Sequence, residues 1–165
     1  MSKKNKVEKT NVMRLLDKEK ITYTTHEYDP EKAISAKEVA LILSQDVKRV
    51  FKTLVTTSKS KEHYVFVIPG EEELDLKKAA LAAGEKFIEM LPQKELLPLT
   101  GYVHGGCSPI GMKKKFITFL DSSAKEYPTI FVSGGKRGVQ VEVDPLALSS
   151  FTQAKFVDLT GAKQE

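Results

Sequence analysis

"FKTLVTTSKSKEHYVFVIP", residues 51–69, decides the fold class. Its two apolar runs, FKTLVTTS and HYVFVIP, are rich in β-branched and aromatic residues and flank a polar, lysine-rich turn at 58–62. That pattern predicts a β-hairpin. Lys52 is its odd member. In an extended strand Phe51, Thr53 and Val55 face one way, and Lys52 shares the other face with Leu54. A lysine there is either an edge or snorkelling residue, or a charge held in a cleft. In a cleft it would bind a phosphate or a developing oxyanion, and burial would lower its pKa.

Outward from the hairpin, strands and short helices alternate. On the N-terminal side, TNVMRLLDKEK (10–20) predicts a helix capped by Thr10 or Asn11, and ITYTTHEY (21–28) predicts a strand stopped by Asp29-Pro30. SAKEVALIL (35–43) opens on a Ser35…Glu38 capping box and continues as a helix. Beyond the hairpin, LDLKKAALAAG (74–84) reads as a helix capped by Asp75 and stopped by Gly84. PQKELLPL (92–99) supplies a helical turn or two. KFITFL, PTIFVS, VQVEV and AKFVDL read as strands, with PLALSSF a short helix before the last. Such hairpin-like runs argue against a doubly wound parallel sheet. The expected fold is a single α+β domain, a curved, mixed and partly barrel-like sheet with helices packed around it.

The 165 residues suit one domain, and 41% apolar with 29% charged residues is the composition of a folded soluble protein. The N-terminus has the charges of a signal peptide but no apolar core, so a cytoplasmic location is expected. One cysteine forbids an internal disulfide and suits a reducing compartment. With three histidines at no ligand spacing, no metal site is expected. The net charge is only +4, yet the basic residues cluster. Lys3, Lys4, Lys6 and Lys9 form an arm over residues 1–9, Lys113, Lys114 and Lys115 a run, and Lys136 and Arg137 share a turn. Each is either a solvated surface or a footprint for a polyanion.

Two glycine segments remain. GYVHGGCSPIGMKKK (101–115) is a loop holding Cys107, with Gly105 and Gly106 as close-approach amides ahead of Ser108. Cys107 is either an inert packed thiol or a nucleophile served by His104. VSGGKRG (132–138) is a hairpin loop whose glycines supply positive φ. The Gly134 and Gly135 amides could also form a nest for an anion or carbonyl oxygen, with the Ser133 hydroxyl beside them.

HEYDP, VFKTL, LDLKKAA, GYVHGGCSPIG and IFVSGGKRG occur in this order over nearly the whole chain. Together they resemble the YbaK/EbsC family, free-standing editing deacylases related to the editing domain inserted in bacterial prolyl-tRNA synthetase. The resemblance implies cleavage of the ester joining a wrong amino acid to tRNA, typically Cys-tRNA(Pro), without metal or cofactor. It makes Lys52 the essential lysine and Gly105 the catalytic loop glycine, with Tyr28, Thr53 and Ser133 in the pocket. Gly106, Ser108, Gly134, Gly135 and Gln140 complete the expected substrate contacts. Lys113, Lys114, Lys136 and Arg137 are the expected contacts to tRNA phosphates. The chain departs from the family pattern at Gln140, where cysteine-specific members carry an aspartate that can pair with an α-ammonium.

The resemblance also implies a substrate-assisted route, in which the cysteine of the substrate attacks its own ester and leaves a cyclic thiolactone. No protein nucleophile is then required, and Cys107 fills the loop. Expected partners are the acceptor end of aminoacyl-tRNA and prolyl-tRNA synthetase, not a membrane. The rival readings are a tRNA- or synthetase-binding module that keeps the fold without chemistry, and a cysteine hydrolase built on Cys107 and His104.

Overall fold

Local signals in the sequence set most element boundaries. In the computed structural model, which describes residues 8–161, the Thr10 side chain caps α1 (Asn11–Lys18) by accepting from the Met13 N–H. Lys9, the last residue of the expected basic arm, pairs with Asp17; the rest of that arm lies largely outside the described residues. β1 (Tyr23–Glu27) follows, and then α2 (Ala36–Leu43), whose Ser35–Glu38 capping box is formed in both directions. The 51–69 segment makes the expected antiparallel pair, β2 (Phe51–Ser58) with β3 (His63–Pro69). Asp75 caps α3 (Leu76–Ala83), and Gly84 ends it at φ 71°. The second half adds β4 (Ile88–Met90), α4 (Leu96–Thr100), β5 (Ile117–Asp121), β6 (Ile130–Ser133), β7 (Val139–Val143), α5 (Pro145–Thr152) and β8 (Lys155–Val157).

The sheet is mixed, as expected, but its ladders divide in two and do not close into a barrel. One sheet runs β1-β7-β6, all antiparallel; the other runs β4-β2-β3-β5-β8, with β3–β5 and β5–β8 parallel. A parallel bridge between Val50 and Phe131 joins them where β2 begins. The inner faces share one core, in which Phe51, Val55 and Val67 meet Val132, Val141 and Val143 under Val12 and Leu16 of α1. On the outer face of the five-stranded sheet α3 covers Phe66 and Ile68 with Ala79 and Ala80. On the outer face of the small sheet, Val39 and Ala40 of α2 cover Val50 and Phe131. The second helix closes tightly because Gly70 lacks a side chain: a Cβ there would lie 2.2 Å from that of Ala36.

Candidate functional site

The bridge between the sheets sets the geometry around Lys52. Val50 pairs with Phe131 in a single parallel bridge, so two residues further along Lys52 and Ser133 point to the same face, beyond the last paired position. Ser133 pairs with Gln140, and Gln140 pairs with His26. Lys52, Ser133, Gln140 and His26 thus form a row across four strands on one face. Ser133 and Gln140 are buried, and Lys52 is half-buried. Burial pulls the Lys52 pKa below the ordinary lysine value, while Glu73 and Glu72 pull it back up. The Gln140 Oε1 is buried without a hydrogen-bond partner, an acceptor awaiting a donor. Tyr28 follows β1, is anchored by its N–H to the Gly138 carbonyl at 3.0 Å, and packs on the Val50–Phe131 cluster of that same face.

A polar network that the sequence reading missed fixes this face. Glu142 accepts from His26 Nε2 at 2.9 Å, from Arg49 Nη2 at 2.9 Å and from the Thr129 hydroxyl at 2.6 Å. Arg49 also donates through Nε to the Thr129 carbonyl at 2.9 Å and lies 5.0 Å above the Phe131 ring. Burial alone would raise the Glu142 pKa; the bonds from Thr129, His26 and Arg49 outweigh it and hold the carboxyl below the usual glutamate value. The sequence does carry a signal for the network. Glu142 interrupts VQVEV as Lys52 interrupts FKTLVTTS.

The 101–115 loop lies against the tip of the β6–β7 hairpin. A Cβ on Gly106 would stand 3.0 Å from both the Arg137 nitrogen and the Lys136 Cα, so only glycine permits this approach. The Gly106 N–H donates to the Val103 carbonyl at 2.9 Å and is therefore occupied. Gly105 is exposed at φ 89°, and its N–H has no acceptor among the described residues. It is the available donor of the pair.

Four expected contacts take other places. Ser108 is fully buried, and its hydroxyl accepts from the Ile110 N–H at 3.3 Å, so it shapes the loop. The glycine nest is filled from within: Gly134 N–H donates to the Val139 carbonyl at 2.8 Å and Gly135 N–H to Ser133 Oγ at 3.1 Å. Thr53 points to the opposite sheet face from Lys52 by strand alternation, with a buried, unpartnered Oγ1. Cys107 is buried in the core, and burial pushes its thiol up to about 12, the reverse of what a nucleophile needs. His104 is exposed in the loop.

Lys136 and Arg137 are exposed at the hairpin tip, beside Gly105. Lys113 and Lys114 are exposed at the far end of the loop instead, where they line a separate groove of about 360 Å³. Among the described residues no group of three or more His, Cys, Asp or Glu side chains is placed to hold a metal ion, and no helix is long and apolar enough to cross a membrane.

The profile of the family described as the aminoacyl-tRNA editing domain matches residues 30–151. The chain belongs to that family. The chain is 48% identical over 161 residues to an Enterococcus faecalis protein named "Putative Cys-tRNA(Pro)/Cys-tRNA(Cys) deacylase EbsC", covering 97% of this chain and 98% of that one. It is 26% identical over 125 residues to a proline–tRNA ligase of Pelobacter propionicus, covering 76% of this chain and 22% of the ligase. Among solved structures, one described as a "putative trans-editing enzyme for prolyl tRNA synthetase" superposes at a TM-score of 0.80 with 25% identity, covering 93% of this chain and 99% of that one. The editing-domain fold thus accounts for nearly the whole chain.

Proposed function

We propose that this chain is a trans-acting aminoacyl-tRNA deacylase that clears mischarged tRNA, Cys-tRNA(Pro) foremost, in the cytoplasm and alongside prolyl-tRNA synthetase. The observation that carries the reading is the row Lys52–Ser133–Gln140. It puts a half-buried lysine on the same sheet face as a buried hydroxyl and an unpaired buried acceptor. An aminoacyl ester is already activated, so the protein must chiefly position it and stabilise negative charge. The Gln140 oxygen accepts from the substrate's α-ammonium. The ammonium of Lys52 and the N–H of Gly105 stabilise the carbonyl oxygen as charge develops there, and Tyr28 packs beside them. Lys136 and Arg137 hold phosphates of the acceptor end.

With cysteine as the aminoacyl group, the substrate sulfur attacks the ester carbonyl. A carbon–sulfur bond forms, the carbon–oxygen bond to the ribose breaks, and the thiol proton passes to the leaving ribose oxygen. The products are tRNA and a cyclic thiolactone that water later opens. Nucleophile and ester belong to one molecule, so effective molarity supplies the rate. The raised thiol pKa of Cys107 agrees with a protein that brings no nucleophile of its own.

The test is a panel of Cys-, Ala- and Ser-charged tRNAs offered to the wild type, Lys52→Ala and Cys107→Ala. The expected result is rapid loss of Cys-tRNA with the wild type and Cys107→Ala, slow loss of Ser-tRNA, and almost none with folded Lys52→Ala. Binding of every tRNA without turnover would make the protein a non-catalytic binding module. A dead but folded Cys107→Ala would return the reaction to a protein thiol.

A further inference from the structure

The groove at the far end of the loop is unused by the chemistry above. It is lined by residues 109–116, Thr118, Phe151 and Thr152, and an adjoining concavity shares Lys115 and Phe151 with it. Phe116 and Phe151 are partly buried against the main core, so their rings are held in place while part of each remains accessible. Lys114 and Lys115 are exposed and make no ion pair among the described residues. No acidic residue lines the first groove. Partly buried aromatic rings and exposed lysines lining one groove are the elements of a single-stranded nucleic-acid site: bases stack, phosphates meet the cations.

The course of the loop ties this groove to the site. The base of the loop is pinched where the Lys113 N–H donates to the Thr100 carbonyl at 3.0 Å. Gly105 and Gly106 lie on Arg137, and the descending arm from 109 onward forms the groove wall. Gly105 and the groove thus belong to one continuous loop segment, four residues apart in sequence at their nearest. A volume of about 360 Å³ lies within the range of small-ligand pockets.

We propose that the groove takes an unpaired nucleotide upstream of the terminal adenosine, its base against Phe151 and its phosphates on Lys114 and Lys115. The proposal rests on the deacylase reading for the identity of the RNA. It makes the 3′ strand, not only its last residue, part of what the protein recognises.

The experiment uses the full chain and an uncharged acceptor-stem minihelix, with a fluorescent purine analogue at each unpaired 3′ position in turn. Because the RNA carries no amino acid, the result is independent of turnover. One internal position should be quenched on binding, and Phe151→Leu, which keeps the packing but removes the ring, should abolish that quenching and weaken binding at least about fivefold. The exposed changes Lys114→Glu and Lys115→Glu keep the test decisive if the leucine variant folds poorly; each should weaken binding by a similar factor. Wild-type affinity in both lysine variants would overturn the groove, as would quenching at no position. Loss of deacylation on charged tRNA would overturn the function and leave this result standing.

Discussion

At Lys52, charge and burial pull against each other. Burial makes the folded protein release this proton at a lower pH than the unfolded chain does, with Glu73 and Glu72 opposing. Between the two pKa values the folded state binds fewer protons, so stability rises with pH across that window. At neutral pH, below it, the whole cost of the buried charge is present. Lys52→Met should therefore raise the melting temperature at pH 7 while abolishing deacylation, and the gain should shrink as the pH enters the lysine range. Melts of both proteins across that range measure it; a lower Tm at neutral pH would show that the ammonium stabilises the fold. Gln140 makes the opposite trade. Gln140→Asp replaces an unpartnered amide oxygen by a carboxylate on a side chain one methylene shorter, which can form an ion pair with an α-ammonium where the amide can only accept a hydrogen bond. The expected outcome is a lower KM for Cys-tRNA, with reordering of Cys-, Ala- and Ser-charged tRNAs. An unchanged ranking in steady-state assays would place Gln140 outside the pocket.

Among the elements, those with local punctuation were readable in the sequence. Ser35 with Glu38, Asp75 with Gly84, and the turn between FKTLVTTS and HYVFVIP each mark their own boundary. β4 has no such mark; Ile88–Met90 is a strand because β2 offers it an edge at 56–58. The site divides the same way. Strand alternation singles out Lys52, whereas the neighbours Ser133 and Gln140 depend on a bridge between chain segments eighty residues apart. The internal bonding of the Gly134 and Gly135 amides likewise follows from turn geometry that glycine content alone does not specify. Arg49 secures that bridge, since it joins the start of β2 to Thr129 ahead of β6 and to Glu142 on β7. Arg49→Met should cost about 2–4 kcal/mol, because it leaves the Glu142 carboxylate short of a partner in a partly buried place. Urea denaturation of Arg49→Met, Glu142→Leu and the double variant measures the coupling. Losses that simply add would mean that the pair does not act as a unit.

Over the whole molecule, the charge is modest in sum and uneven in place, with Lys136 and Arg137 beside the site and the 113–115 run in the groove. Binding of tRNA should weaken linearly on a log–log salt plot, and Lys136→Ala or Arg137→Ala should each flatten the slope by about 0.7–0.9. A slope untouched by either change in filter-binding titrations would leave recruitment to the synthetase. The pairing of β1 with β7, Tyr23 against Val143, also has a consequence for how the protein is made. A ribosome completes the β2–β3 hairpin early, because its contacts are local. Ser133 and Gln140 emerge much later, and the first strand must wait for them, its edge unpaired meanwhile. From the translation of Pro69 to that of Gln140, Lys52 stands on a finished hairpin with no row beside it. The site proposed for editing comes into being only once Gln140 has been translated and β7 has reached β1.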